Sequence, residues 1–185
     1  MKKYPLFLLI IFFAILFAAC GKSGSSSAIN IQGFKVTDYN GNLIGQSGPA
    51  DSDWTVMAKL SPAEMALFNF GDTVSLENTG ISNVSLTYGF PNPAFTQQLL
   101  LIGTGYNAVI KLVIVDRNLK VLSREALRTS GGQQSLVLDL SDRSKFPDHS
   151  SVRVYYSLSA KDHPNFVVGY GDTRICSGTN VNDCF

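Results

Sequence analysis

The stretch Ser151-Val152-Arg153-Val154-Tyr155-Tyr156-Ser157-Leu158-Ser159 decides the fold class. Val152, Val154, Tyr156 and Leu158 occupy alternate positions, with Arg153, Tyr155 and Ser157 between them. Successive side chains of an extended chain point to opposite faces, so this period of two describes a strand with one face to bury and one to wet. Residues 135–140 repeat the pattern, Leu136, Leu138 and Leu140 alternating with Ser135 and Asp139. Working outward, strands are expected at 83–88, 95–102, 108–116, 119–126 and 165–175, at intervals suited to two packed antiparallel sheets. Asp116-Arg117-Asn118 and Gly131-Gly132 supply turns between them.

Toward the N-terminus, 33–38 and 43–46 flank Tyr39-Asn40-Gly41-Asn42, and Asn-Gly between two apolar runs signals a tight hairpin. Asp38, Asn40 and Asn42 also stand at alternate positions, as at the start of a calcium loop, but no later glutamate or flanking helix follows, which favours the turn. Residues 54–60 read as a strand, and 73–77 as another. Between them Ser61-Pro62-Ala63-Glu64 combines an N-cap serine, proline at the first helical position and a glutamate three after the cap. One helix of about two turns is expected, stopped by Gly71. The fold class is therefore all-β: an antiparallel β-sandwich, Ig-like or jelly-roll-like, with one short helix.

The chain has 185 residues, 15 Lys plus Arg against 14 Asp plus Glu, 45% hydrophobic residues and only 16% charged ones. That balance excludes a highly charged disordered chain and a basic nucleic-acid binder, so no nucleic acid is expected as a partner. Met1-Lys2-Lys3 is a cationic start, and residues 6–19 form fourteen positions without a charged or polar side chain, ending in Ala18-Ala19. At 1.5 Å per residue such a helix measures about 21 Å, short of the ~30 Å bilayer core. Leu16-Phe17-Ala18-Ala19-Cys20 resembles the lipobox of bacterial lipoproteins. The resemblance implies cleavage before Cys20, its diacylation and N-acylation, palmitate among the chains, and an anchor strong enough to hold permanently. Gly21 rather than Asp at the second mature position implies the outer membrane, periplasmic or surface side left open. The expected organisation is a lipoprotein signal peptide at 1–19, an acylated cysteine with a Gly/Ser-rich tether at 20–30, and a single sandwich domain at 31–185.

Export places Cys176 and Cys184 in an oxidising compartment, where they are expected to close a short disulfide loop contributing about 2 to 3 kcal/mol. No ligand spacing for zinc accompanies them, so neither a metal nor any cofactor is expected. Asp148-His149-Ser150 contains the letters of a catalytic triad, but three consecutive residues do not present nucleophile, base and orienter in line. No catalytic residues are assigned, and a hydrolase is the weakest of three function classes. Trp54, Tyr88, Tyr106, Tyr155, Tyr156 and Tyr170 could form a sugar-stacking platform on a sandwich face, Trp54, Tyr106, Tyr155 and Tyr170 being the ligand-facing candidates, although such residues more often fill a β core with the hydroxyl at the rim. Asp72-Thr73-Val74 resembles an O-glycosylation motif of some Gram-negative envelopes.

Tyr88-Gly89-Phe90-Pro91-Asn92-Pro93-Ala94, followed by a Lys111-containing strand, a Leu/Asp strand and an aromatic strand, resembles the C-terminal sorting sandwich of type IX secretion cargo. It is also similar to Ig-like domains of the flagellar hook-capping type; the resemblance covers residues 82–175. The resemblance implies the sandwich fold, and a cargo or accessory role in secretion stands as the second reading. The first is a non-catalytic outer-membrane lipoprotein, a binding or structural module whose partner, beyond the membrane itself, is an envelope protein or a glycan.

Overall fold

In the computed structural model, residues 28–49, 53–56, 58–71, 83–178 and 181–184 are described. The alternating stretch forms β8 (Ser151–Ala160), and it sits in a four-stranded antiparallel sheet of order β6-β5-β8-β9, with β5 (Ala108–Val115), β6 (Val121–Thr129) and β9 (His163–Arg174). A three-stranded antiparallel sheet of order β3-β4-β7 packs on it, built from β3 (Val84–Leu86), β4 (Gln97–Thr104) and β7 (Gly132–Asp139). A hairpin of β1 (Phe34–Thr37) and β2 (Leu43–Ser47) forms its own two-stranded sheet. Seven strands in two sheets make the expected all-β sandwich, and the strands fall where the alternation put them.

Between the sheets lies the main core. Ile110, Leu112 and Ile114 of β5 and Val152, Val154, Tyr156 and Leu158 of β8 meet Leu100 and Ile102 of β4 and Leu136 and Leu138 of β7. β7 keeps the sequence pattern: its leucines are buried while Val137 and Asp139 are exposed. β8 does not, because Arg153, Tyr155, Ser157 and Ser159 on its other face are buried as well. β5 is buried at all eight positions. The reason is a second, smaller apolar cluster on the outer face, where Val113, Val115 and Tyr155 pack beneath Phe68 with Leu60, Leu67 and Phe70.

The cover is the segment from Asp53 to Gly71, which winds round the β9 edge. Its first part is not the strand expected at 54–60. Trp54 N donates to Tyr170 O at 2.8 Å and Ala58 N to Val168 O at 2.8 Å, so four residues of the arm are matched against two of β9 and a ladder has no register to follow. Trp54 itself takes a left-handed backbone, φ 56°. Its indole lies parallel to the Tyr156 ring, centroids 6.3 Å apart, and closes the β9 side of the core.

The helix appears as expected at its start. Ser61 Oγ accepts from Glu64 N at 3.3 Å, and Ser61 N donates to the Glu64 carboxylate at 2.7 Å. α1 (Pro62–Met65) continues into a 3₁₀ turn, Ala66–Phe68. Its stop differs from the expectation at Gly71. The chain leaves the helix at Asn69, and the buried Lys111 ammonium donates to the carbonyls of Phe68 and Phe70 at 3.0 and 3.2 Å. A cation at a helix C-terminus satisfies the orphan carbonyls and complements the dipole there.

Gly169 and Gly171 on the inner face of β9 make room for Tyr156 and Trp54, since a Cβ at Gly171 would run into the indole. Gly171→Ala is therefore expected to lower stability by about 1 to 3 kcal/mol in chemical denaturation, the usual cost of overpacking. Gly71→Ala, with open space around its Cα, is the matched control and should leave the midpoint nearly unchanged.

Candidate functional site

The hairpin turn builds one wall of an open, largely apolar cleft. Asp38 Oδ1 accepts the N–H groups of Asn40 and Asn42 at 2.9 and 2.8 Å, and Oδ2 accepts from Asn42 Nδ2 at 2.8 Å. Those bonds, the Asn42 amide first, hold the Asp38 carboxyl below the usual range. The carboxylate thus serves the turn, as the Asn-Gly reading expects, rather than a cation. Gly41, with φ 82°, lies close to the Phe90 ring, which a Cβ at this position would crowd at 3.1 Å. Tyr39 and Phe95 face each other with ring centroids 6.1 Å apart and an interplanar angle of 1°.

The second wall comes from the 90–95 segment, where the Phe90–Pro91 and Asn92–Pro93 peptide bonds are cis. The fully buried Asn92 staples this segment to its neighbours: Nδ2 donates to Lys35 O and Asp172 O, and Oδ1 accepts from Arg174 N, at 2.8, 2.9 and 3.0 Å. Phe90 and Leu99 exchange both backbone hydrogen bonds, tying the segment to β4. The resulting cleft of about 370 Å³ is lined by Tyr39, Phe90, Pro91, Phe95, Thr96, Gln97, Gln98, Leu99 and Val137. No charged side chain is among them. Tyr39 is 64% and Val137 53% exposed, so the cleft offers an aromatic face with an amide and a hydroxyl at its rim.

The four aromatics singled out from the sequence do not form a common surface. Trp54 is 4% and Tyr155 0% exposed, which corrects their reading as ligand-facing: the arm wraps the sheet and takes both inside. Tyr155 O–H donates to Glu64 at 2.5 Å. Burial together with this acceptor carboxylate raises the phenol well above its ordinary range, while hydrogen bonds from Tyr155 and Ser61 overcome burial and keep Glu64 below its own. Tyr170 is half-buried under the Arg153 guanidinium, 3.9 Å above its ring. Only Tyr106 of the four is exposed, alone on the β4–β5 loop. The hairpin aromatic and Phe95 were missed because they stand 56 positions apart, and no spacing rule links a turn residue to a strand approach at that distance.

Under the arm lies a knot of charge. Arg153 pairs bidentately with Asp172, both contacts 2.6 Å, and reaches Asn30 O at 3.0 Å. Burial disfavours the guanidinium's charge, but the Asp172 carboxylate outweighs it and raises Arg153 further. Asp53 accepts Lys35 N at 3.0 Å and also the Asp172 N–H, clamping β1 to β9 through one side chain. Burial pushes the Asp53 carboxyl up to about 7, against those two bonds.

Cys176 and Cys184 are joined as a disulfide, with Cα atoms 5.6 Å apart. Among the described residues one group of possible metal ligands converges, Asp148, His149 and Cys176, but the last sulfur belongs to the disulfide and has no thiolate to offer. Ser150 Oγ donates to Pro147 O at 2.5 Å, so its proton is turned away from His149, and His149 Nε2 stands 3.7 Å from Asp148. His163 is exposed at the far end of β9. Cys20, Asp72-Thr73-Val74 and the strand expected at 73–77 lie outside the described residues. No protein-family model matches the chain, and a comparison with curated proteins finds no match.

Folded Asp53 keeps its proton up to about pH 7, whereas an unfolded aspartate loses it near 4. The folded state binds the extra proton between those values, so this residue's stabilisation is complete at low pH and is lost as pH rises through about 4 to 7, by roughly 4 kcal/mol at most. Denaturation midpoints measured across that window should fall with pH by less in Asp53→Asn than in the parent. The variant starts lower at the acid end of the window, because its amide nitrogen cannot accept an N–H bond.

Proposed function

We propose that the chain is a lipid-anchored, non-catalytic binding module of the outer membrane that holds a neutral glycan in the Tyr39–Phe95 cleft. The observation that carries this reading is the parallel pair of the exposed Tyr39 ring and the half-buried Phe95 ring in a cleft without a charged lining residue. A sugar ring has one apolar C–H face and a polar edge. The first matches an aromatic platform, and the second matches the Thr96 hydroxyl and Gln97 amide at the rim. A charged substrate would find no counter-ion in this cleft. The rigid support beneath, with Asn92 and Gly41 fixing both walls, means that little ordering remains to be done when a ligand arrives.

Anchoring rests on the sequence: the charged start, the apolar run, Cys20 after two alanines and the Gly/Ser tether. The second reading, cargo or accessory protein of type IX secretion, draws support from the strands β3 to β9, which occupy the same 82–175 stretch that carries the resemblance. It favours the fold more than the role, since many functions share a sandwich.

Titration calorimetry against a panel of neutral oligosaccharides of glucose, galactose, mannose and N-acetylglucosamine tests the cleft. At least one should bind, and Tyr39→Ala should weaken it about tenfold, the equivalent of ~1.4 kcal/mol of ring contact. Tyr106→Ala should bind as the parent does. A panel without any binder, or a Tyr39→Ala variant with unchanged affinity, removes the glycan reading. For the anchor, intact mass of membrane-extracted protein should show a processed chain carrying acyl groups at Cys20, and Cys20→Ala should lack them.

A further inference from the structure

The described chain begins beside a different cleft, where the turn between β5 and β6 meets the loop before β8. Ile29 N donates to Arg117 O at 2.8 Å, which fixes the first described residues to that turn. The cleft has a volume of about 480 Å³, and Arg117, Lys120, Lys145 and His149 line it with Asp116 and Asn118. Its acidic neighbours are turned toward the backbone. Asp116 Oδ1 accepts the N–H groups of Asn118 and Lys120 at 2.8 and 2.9 Å, and Asp148 Oδ1 accepts those of Ser177 and His149 at 2.6 and 3.0 Å. Asp142 binds Ser144 and sits 3.5 Å from Lys145 in a half-exposed pair. Arg117 and Lys120 have no acidic side-chain partner among the described residues. Two cations held on one short turn, a fork and a point charge, suit the oxygens of a phosphate group.

The length of chain before Ala28 says where such a phosphate lies. Ala28 lies eight positions after Cys20, a span that fully extended reaches no more than about 28 Å. A lipid on Cys20 therefore keeps the Arg117 turn within a tether's length of the headgroups, and attraction to an anionic surface draws it closer. We propose that the Arg117–Lys120–Lys145 cleft holds the phosphate of an anionic lipid headgroup in the membrane that carries the anchor, setting the sandwich end-on to that surface. This inference rests on the anchoring reading given above.

The test uses the full membrane-extracted protein inserted into vesicles of phosphatidylcholine alone or with phosphatidylglycerol, read by flotation and by hydrogen exchange at 116–120 and 144–152. Exchange there should slow in the phosphatidylglycerol vesicles, and the protection should fade at high salt. Arg117→Ser with Lys120→Ser should lower occupancy of the anionic surface about 30-fold, the effect of two cations near a charged membrane, while still floating with neutral vesicles. A protein that floats but exchanges equally in both vesicles overturns the proposal. Protection by inorganic phosphate in detergent, without any difference between vesicles, also overturns it and assigns the cleft to a free phosphate. If the parent fails to float with neutral vesicles, the anchoring reading has failed. Salt-sensitive protection by added phosphatidylglycerol vesicles would still support the cleft's headgroup chemistry, and its absence would overturn that too.

Discussion

Everything in this molecule depends on making the outer face of the four-stranded sheet fit for burial. That face carries Lys111, Arg153, Tyr155 and Asp172, and each would lose hydration without compensation if an ordinary apolar layer were laid over it. The covering arm brings the missing partners: carbonyls of Phe68 and Phe70 for the ammonium, the Glu64 carboxylate for the phenol, and Asp53 for the backbone between β1 and β9. Arg153 and Asp172 satisfy one another across neighbouring strands. A buried pair of this kind adds little to stability compared with well-packed apolar side chains, whereas losing one member strands the other. Its evident effect is geometric. The arm docks where its carbonyls and carboxylates meet these buried donors.

That placement explains which parts of the structure the sequence reveals. Strands β4 to β9 follow from local alternation, the hairpin from Asn40-Gly41, the helix start from Ser61 and Glu64, and the disulfide from two cysteines in an exported chain. All of these are set by neighbours within about ten positions. The second burial of β8 is different. Arg153 and Tyr155 look solvent-facing from their own strand, and only a segment roughly 90 positions away tells otherwise. The same distance effect misleads at 54–60, where alternation suggests a strand but the two bonds to β9 match four residues of the arm against two of the edge. Trp54 and Tyr155, attractive as surface aromatics, are the residues that this long-range packing consumes.

The two clefts divide chemistry between the sheets. β4 begins at Gln97, and its far end turns within three residues into β5, whose own end is Val115, so Gln97 and the Asp116 turn belong to the same end of the sandwich. One cleft is aromatic and uncharged, on the three-stranded side; the other is rich in cations, beside the four-stranded sheet. On the reading proposed above, the second faces the headgroups and the first therefore opens close to the membrane. On the same reading, a glycan held there is one whose chain passes near the lipid surface, within the reach of the proposed tether.

The sequence contains a single tryptophan, and the arm has placed it in the most informative spot available. Trp54 lies in an apolar setting against Tyr156, and its indole N–H finds no acceptor among the described residues. Its emission is accordingly expected at short wavelength while the arm is docked, shifting red once water reaches the ring. Because the indole belongs to the arm and not to a strand, that shift reports release of the cover separately from loss of the sheets. The protein carries an intrinsic optical gauge of its most non-local contact, with no label required.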